Sequence, residues 1–171
     1  GISGAYMPLG ATITSKKIAD YFDQPENLFS HGQTYAMHPM ACAPGIAAIN
    51  EYKTKKIVEN AAKMGKVMGK RLMELKEDHK SVGDVRGKGL FWGVELVKNR
   101  ETKKPFAERK DKFKPTMLKR ISGELMKKGV YLVNVINTFL VAPPLIVSEK
   151  EINDAVDVFD EALTMADKET E

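Results

Sequence analysis

The chain has 171 residues, 43% of them apolar and 29% charged, and its 27 Lys and Arg against 23 Asp and Glu give a formal net charge of +4. That length fits one domain, or one domain with part of another, and that apolar content suffices for a core. No run approaches the roughly 18–20 apolar residues of a membrane span and no signal peptide is visible. Basic and acidic residues alternate as on a solvated surface, without the aromatic-interleaved basic cluster of a nucleic-acid binder. The one cysteine, Cys42, excludes an internal disulfide and suits a reducing cytoplasm.

In chain order, residues 1–9 read as loop, because Gly1, Ser3, Gly4 and Pro8 interrupt any period. Ala11 to Thr14 reads as a short strand, after which Ser15 caps a helix through Tyr21, with Ile18, Tyr21 and Phe22 on one side. Residues 23–38 form a loop long enough to expect a functional or docking role. Pro39 opens a helix to about Tyr52 whose small residues (Ala41, Ala43, Gly45, Ala47, Ala48) predict close packing and burial, with Cys42 as a small core residue. A second helix, about Lys55 to Lys76, carries an apolar stripe at Ile57, Ala61, Met64, Met68, Leu72 and Leu75, weakened by Gly65 and Gly69.

The period changes over 82–97, where Val82, Val85, Leu90, Trp92, Val94 and Leu96 predict two strands joined near Gly87 and Gly89. Phe91 and Trp92 read as core anchors. Residues 98–114 read as an exposed charged excursion, and a helix from Thr116 to Lys128 ends at Gly129. Val130 to Val135 and Thr138 to Val141 predict strands around Asn137, stopped by Pro143 and Pro144. Ser148 and Glu151 form a capping box that opens a final helix with Ile152, Val156, Phe159 and Leu163 inward; the tail after Asp167 frays. The pattern is α/β in two parts, the second a compact α+β unit with a small, mostly antiparallel sheet and helices on one face.

The most informative stretch runs from Phe29 to Cys42 and sets His31, Gly32, Gln33 and Thr34 directly before the apolar helix at Pro39. Exposed backbone N–H groups and a threonine hydroxyl are what a phosphate requires. Taken alone, Thr34 reads better as a turn residue stabilising its own loop. His31 reads as bonding within the loop, His38 as setting the helix entry, and His79 as solvated in a charged segment. No cysteine or carboxylate cluster joins them into a metal site. Arg86 reads as a structural ion pair with Asp84 or Glu95.

His31-Gly32-Gln33-Thr34-Tyr35 followed by His38-Pro39 and an Ala-rich helix, together with Gly1 to Ala11 and Gly83 to Leu90, closely resembles the class III pyridoxal-phosphate-dependent aminotransferases. The resemblance covers essentially all of this chain and about the C-terminal half of the family's pattern. It implies the end of the fold-type I large domain plus the small α+β C-terminal domain: residues 1–52 as the C-terminal part of the cofactor-binding large domain and 53–171 as the small domain. It places the Schiff-base lysine just before Gly1, so no catalytic residue is assigned within the chain and no turnover is expected of it alone. Gly32, Gln33 and Thr34 are implied as cofactor-binding, the loop reaching across a homodimer interface to the phosphate of the neighbouring subunit's pyridoxal 5'-phosphate. The implied activity moves an amino group from an amine or omega-amino acid to a keto acid such as pyruvate, in the cytoplasm, with no nucleic acid, membrane or metal involved. Many members carry a carboxylate-clamping arginine before the Pro-Pro-Leu motif; here residues 133–138 hold none, so either the substrates do not need the clamp or the group comes from elsewhere, and the resemblance does not carry amino-acid specificity over to this chain. The alternatives are a truncated non-enzymatic dimerisation or binding module, and a same-fold aminomutase. A nucleic-acid binder would require steeply salt-dependent binding.

Overall fold

The computed structural model describes residues 1–111 and 114–171, so part of the predicted 98–114 excursion, Lys112 and Phe113, lies outside the described residues. The chain divides into two compact units, Gly1–Ile57 and Val58–Glu171.

The first unit is built on α1 (Lys16–Phe22) and α2 (Pro39–Thr54). Pro39 occupies the first helical turn, and His38 Nδ1 accepts the Met40 N–H at 3.2 Å, so the imidazole caps the helix as its place before Pro39 suggested. The Ser3 hydroxyl closes a turn by donating to the Met7 carbonyl at 2.5 Å. Leu9 packs on α2 where Gly45 lacks a side chain: a Cβ there would stand 2.6 Å from Leu9 Cδ2.

Three expectations fail in this unit. Ala11 to Thr14 forms no strand, because no neighbouring segment pairs with it among the described residues. Ser15 holds the N-cap position of α1, but its side chain makes no capping bond. Helix α2 is not buried: Gly45 is its one buried residue, Cys42 is half-buried, and Ile46 is 62% exposed.

The second unit contains α3 (Ile57–Asp78), β1 (Val82–Lys88), β2 (Phe91–Asn99), β3 (Lys104–Pro105), α4 (Met117–Lys127), β4 (Val133–Val135), β5 (Thr138–Val141) and α5 (Glu149–Asp167). The strands run in the order β1-β2-β5-β4, all antiparallel, with β3 paired to the end of β2. The two-residue alternation assigns each face: Val94 and Leu96 on β2 and Phe139 and Val141 on β5 are buried, while Glu95 between its neighbours faces outward. Met64, Met68, Leu72 and Leu75 of α3, Leu118, Ile121 and Leu125 of α4, and Val156, Phe159 and Leu163 of α5 complete one core with that face. Phe139 and Phe159 meet edge to face with ring centres 5.2 Å apart.

Local signals set most element ends. The Thr116 side chain accepts the Lys119 N–H at the start of α4, and Gly129, at φ +80°, follows its end in a conformation that suits glycine. Both bonds of the Ser148–Glu151 capping box form.

Other expectations are corrected here. The excursion after β2 is mostly exposed as expected, but it is structured: it carries β3 and a 3₁₀ turn at Arg109–Asp111, and the Asn137 side chain clamps it by accepting the Ala107 N–H at 2.8 Å and donating to the Ala107 carbonyl at 2.7 Å. Strand β4 begins at Val133 rather than Val130. Trp92 does anchor, donating Nε1–H to the Gly89 carbonyl at 2.7 Å, but Phe91, one position before it, points to the opposite side and is 63% exposed. The tail does not fray: the Glu171 N–H donates to the Lys98 carbonyl at 2.7 Å, and the buried Thr170 hydroxyl to the Ala166 carbonyl at 2.8 Å. His79 is buried, not solvated.

Candidate functional site

The loop 23–38 is held at both ends by aromatic contacts. Phe22 meets Phe29 with ring centres 5.2 Å apart, Phe29 meets His31 at 5.7 Å, and Tyr35 meets His38 at 6.0 Å beyond the turn. The backbone turns over Thr34 to Met37, where the Ala36 N–H donates to the Gln33 carbonyl at 2.9 Å and Met37 sits at φ +59°. His31 bonds within the loop as expected, through its own N–H to the Phe29 carbonyl at 3.0 Å.

Between those anchors lie Gly32, Gln33 and Thr34, all exposed. Among the described residues none accepts a hydrogen bond from the N–H groups of Gly32, Gln33 or Thr34, nor from the Thr34 hydroxyl. At Gly32 a Cβ would meet nothing within 4 Å. The loop thus presents three backbone donors and one hydroxyl on a fixed turn, which is chemistry suited to an oxyanion. The turn-stabilising reading of Thr34 finds no bond to support it. The supporting aromatic positions, Phe29 and Tyr35, escaped the sequence reading; their spacing on either side of the donors was the available signal.

The remaining candidates lie elsewhere. Arg86 pairs with both partners named for it, its Nη1 standing 2.7 Å from Asp84 and 2.7 Å from Glu95 on the outward face of the sheet. The hydrogen bonds that Arg86 donates to Glu95 and Asp84 raise its pKa, and Arg86 in turn holds the Asp84 carboxyl below its ordinary range. The β4–β5 hairpin borders an apolar cleft of about 500 Å³ whose lining includes Phe91, Tyr131, Val133, Leu140 and Pro143, with Glu151 its one charged residue. Among the described residues no group of three or more His, Cys, Asp or Glu is placed to hold a metal ion, and no helix is long and apolar enough to cross a membrane.

The family pattern described as "Aminotransferase class-III" matches residues 1–163. The adenosylmethionine-8-amino-7-oxononanoate aminotransferase of Methanocaldococcus jannaschii is 35% identical over 175 residues, covering 98% of this chain and 36% of the relative. Its Staphylococcus aureus counterpart is 34% identical over 165 residues, covering 95% of this chain and 35% of the relative. Among solved structures, taurine:2-oxoglutarate aminotransferase from Bifidobacterium kashiwanohense, in complex with PLP and glutamate, superposes with a TM-score of 0.85 at 30% identity, over 99% of this chain and 37% of that one. The chain therefore spans just over a third of the length of these relatives. It belongs to the class III aminotransferase family, and its mixed α/β fold is that of the fold-type I pyridoxal-phosphate transaminases.

Proposed function

We propose that this chain forms part of a pyridoxal-phosphate-dependent transaminase that moves an amino group from an amine or omega-amino acid to a keto acid such as pyruvate. Residues 1–52 then belong to the cofactor-binding large domain and residues 53–171 to the small C-terminal domain, a reading supported by the break between compact units after Ile57. The observation that carries the proposal is the set of unpaired donors at Gly32, Gln33 and Thr34, in a chain that matches the family over residues 1–163.

Pyridoxal 5'-phosphate, when bound, supplies the electron sink for amino transfer. The chain's own part is to bind and orient. The Thr34 hydroxyl donates to a phosphate oxygen, the N–H groups of Gly32 and Gln33 add to it, and the aromatic contacts at Phe29 and Tyr35 fix the turn that presents them. The exposure of this loop supports a role toward a neighbouring subunit in a homodimer. The apolar cleft beside Val133, with no cation in its lining, supports donors without a carboxylate at that position. The free Cys42 suits a cytoplasmic setting. A truncated binding module and an aminomutase are not favoured, since the relatives described above are aminotransferases.

The test is a cofactor titration of the full-length gene product with Thr34→Val, which removes the hydroxyl and keeps the shape. Losing one hydrogen bond to a charged group, about 1.5 kcal/mol, weakens cofactor binding roughly tenfold. An unchanged dissociation constant removes Thr34 from the site.

A further inference from the structure

His79 lies outside the site described above. It sits in the connection between α3 and β1, is 6% exposed, and both of its ring nitrogens face carboxylates of α5: Nδ1 is 2.6 Å from Asp167 Oδ2, and Nε2 is 2.9 Å from Asp160 Oδ1. A neutral imidazole has one N–H and one lone pair. In this arrangement the lone pair of a neutral ring would point at a carboxylate oxygen, so the geometry is satisfied only when both nitrogens carry hydrogen and the ring is charged.

The same carboxylate reaches further. Asp167 Oδ1 accepts the Ser81 N–H at 3.0 Å, so one side chain ties the last turn of α5 both to the imidazole and to the backbone entering β1. Directly beyond it the chain is strapped to the sheet: the Lys80 ammonium donates to the Thr170 carbonyl at 2.7 Å, the Glu171 N–H to the Lys98 carbonyl at 2.7 Å, and Lys104 pairs with Glu171 at 2.7 Å. Of the other charged groups near this junction, Asp78 and Lys168, the chain neighbours of His79 and Asp167, are exposed, and three cations are engaged. Arg100, beyond β2, donates to the carbonyls of Lys76 and His79. Lys76 of α3 pairs with Asp84 of β1 at 3.6 Å, and Arg120 of α4 pairs with Glu169 at 2.7 Å. Asp160 and Asp167 are thus the anions set against the ring.

We propose that His79 is a proton-operated latch: its doubly hydrogen-bonded, charged ring holds the C-terminal turn of α5 and the strap at Thr170–Glu171 against the sheet, and loss of one ring proton releases them. Burial works against the charged ring, but the hydrogen bonds it donates to Asp167 and Asp160 outweigh it and raise the His79 pKa above its ordinary 6.5. Burial likewise pushes Asp167 up, and the bonds from His79 and Ser81 outweigh it and hold that carboxyl below its ordinary 3.8. The sign follows. A raised pKa in the folded state contributes stability that is fully present below 6.5 and is lost as pH rises through the folded value. The latch is closed in mild acid and opens toward alkaline pH.

The test is an NMR titration of the 171-residue chain from about pH 5.5 to about pH 9, following the His79 ring and the exchange of the Ser81 and Glu171 amides after correction for intrinsic exchange. The ring should titrate above 6.5, and both amides should lose about tenfold protection over the same transition. His79→Gln, which has a single donor nitrogen and an acceptor oxygen at every pH, should show weak protection independent of pH. Asp160→Asn, at a carboxylate that is half exposed, should stay folded and move the transition to lower pH. If His79→Gln does not fold, Asp160→Asn decides alone. A ring that titrates at or below 6.5, or amide protection that ignores the ring's transition, overturns the latch.

Discussion

At Ile136 a β-branched side chain sits at φ +56°, in the left-handed region that disfavours such residues. The position is forced by the two-residue connection between β4 and β5, and Asn137 beside it is committed to holding Ala107 while its carbonyl accepts the Leu96 N–H at 2.8 Å. Ile136 cannot shed its strain by shifting the turn without breaking those bonds. Glycine removes the strain and gives up a side chain that is 41% exposed. We therefore expect Ile136→Gly to raise stability by about 1 kcal/mol, seen as a Tm higher by a few degrees. A lower Tm would mean that the isoleucine's contacts outweigh its backbone cost. The same bookkeeping distinguishes Thr34, whose hydroxyl has no partner within the described chain. Thr34→Val should leave the Tm of the chain unchanged while weakening cofactor binding in the full-length protein.

Among the elements, the pairing of α3 with the β1–β2 hairpin separates what was legible in the sequence from what was not. The helix itself was readable, because its apolar stripe from Met64 to Leu75 repeats at helical spacing and those residues are buried. The glycines within it were misread as weaknesses. Gly65 admits the Gly89 backbone and Gly69 admits the Trp92 ring, each at a distance where a Cβ would stand 2.5 Å from its neighbour. Helix propensity records the local cost of a glycine and is blind to the segment that crosses it some 20 residues on. The same blindness hid the burial of His79, whose partners Asp160 and Asp167 lie a whole sheet away in sequence, and it supplied a strand at Ala11 to Thr14 where no partner exists among the described residues. The role proposed for Thr34 could be read from sequence because its motif is contiguous. A comparison of two helical glycines tests this account. Gly69→Ala gains about 1 kcal/mol of propensity but drives a methyl into Trp92, so it should destabilise by about 1–2 kcal/mol net. At Gly123 in α4 a Cβ meets nothing within 4 Å, so Gly123→Ala should stabilise by about 0.5–1 kcal/mol. Equal effects of the two in denaturant melts would refute the close-approach role of Gly69.

Across the whole molecule, apolar burial is distributed unequally. The hydrophobic core cluster lies entirely between Met64 and Ala166. In Gly1–Ile57 the buried residues are Ser3 and Gly45, while Tyr6, Ile13, Leu28, Tyr35 and Met37 are each at least 80% exposed. Apolar surface of this extent marks a contact face, and just under two thirds of the length of the M. jannaschii relative lies beyond the 36% matched here. A segment with little buried apolar area opens at low free energy, because burial is the main term set against chain entropy. Protease attack therefore discriminates the two units sharply. Chymotrypsin acting on the chain at low ratio should cut first after Tyr6, Tyr21, Phe22, Phe29 or Tyr35. It should leave a resistant fragment that contains the core from Met64 onward, even though Phe91 and Tyr131 offer exposed side chains there, because their backbones are held by β2 and by the packing around β4. Mass spectrometry of the early products reads the order directly. Initial cleavage within residues 64–166, or equal resistance of both units, would mean that the first 57 residues draw stability from a source other than their own core.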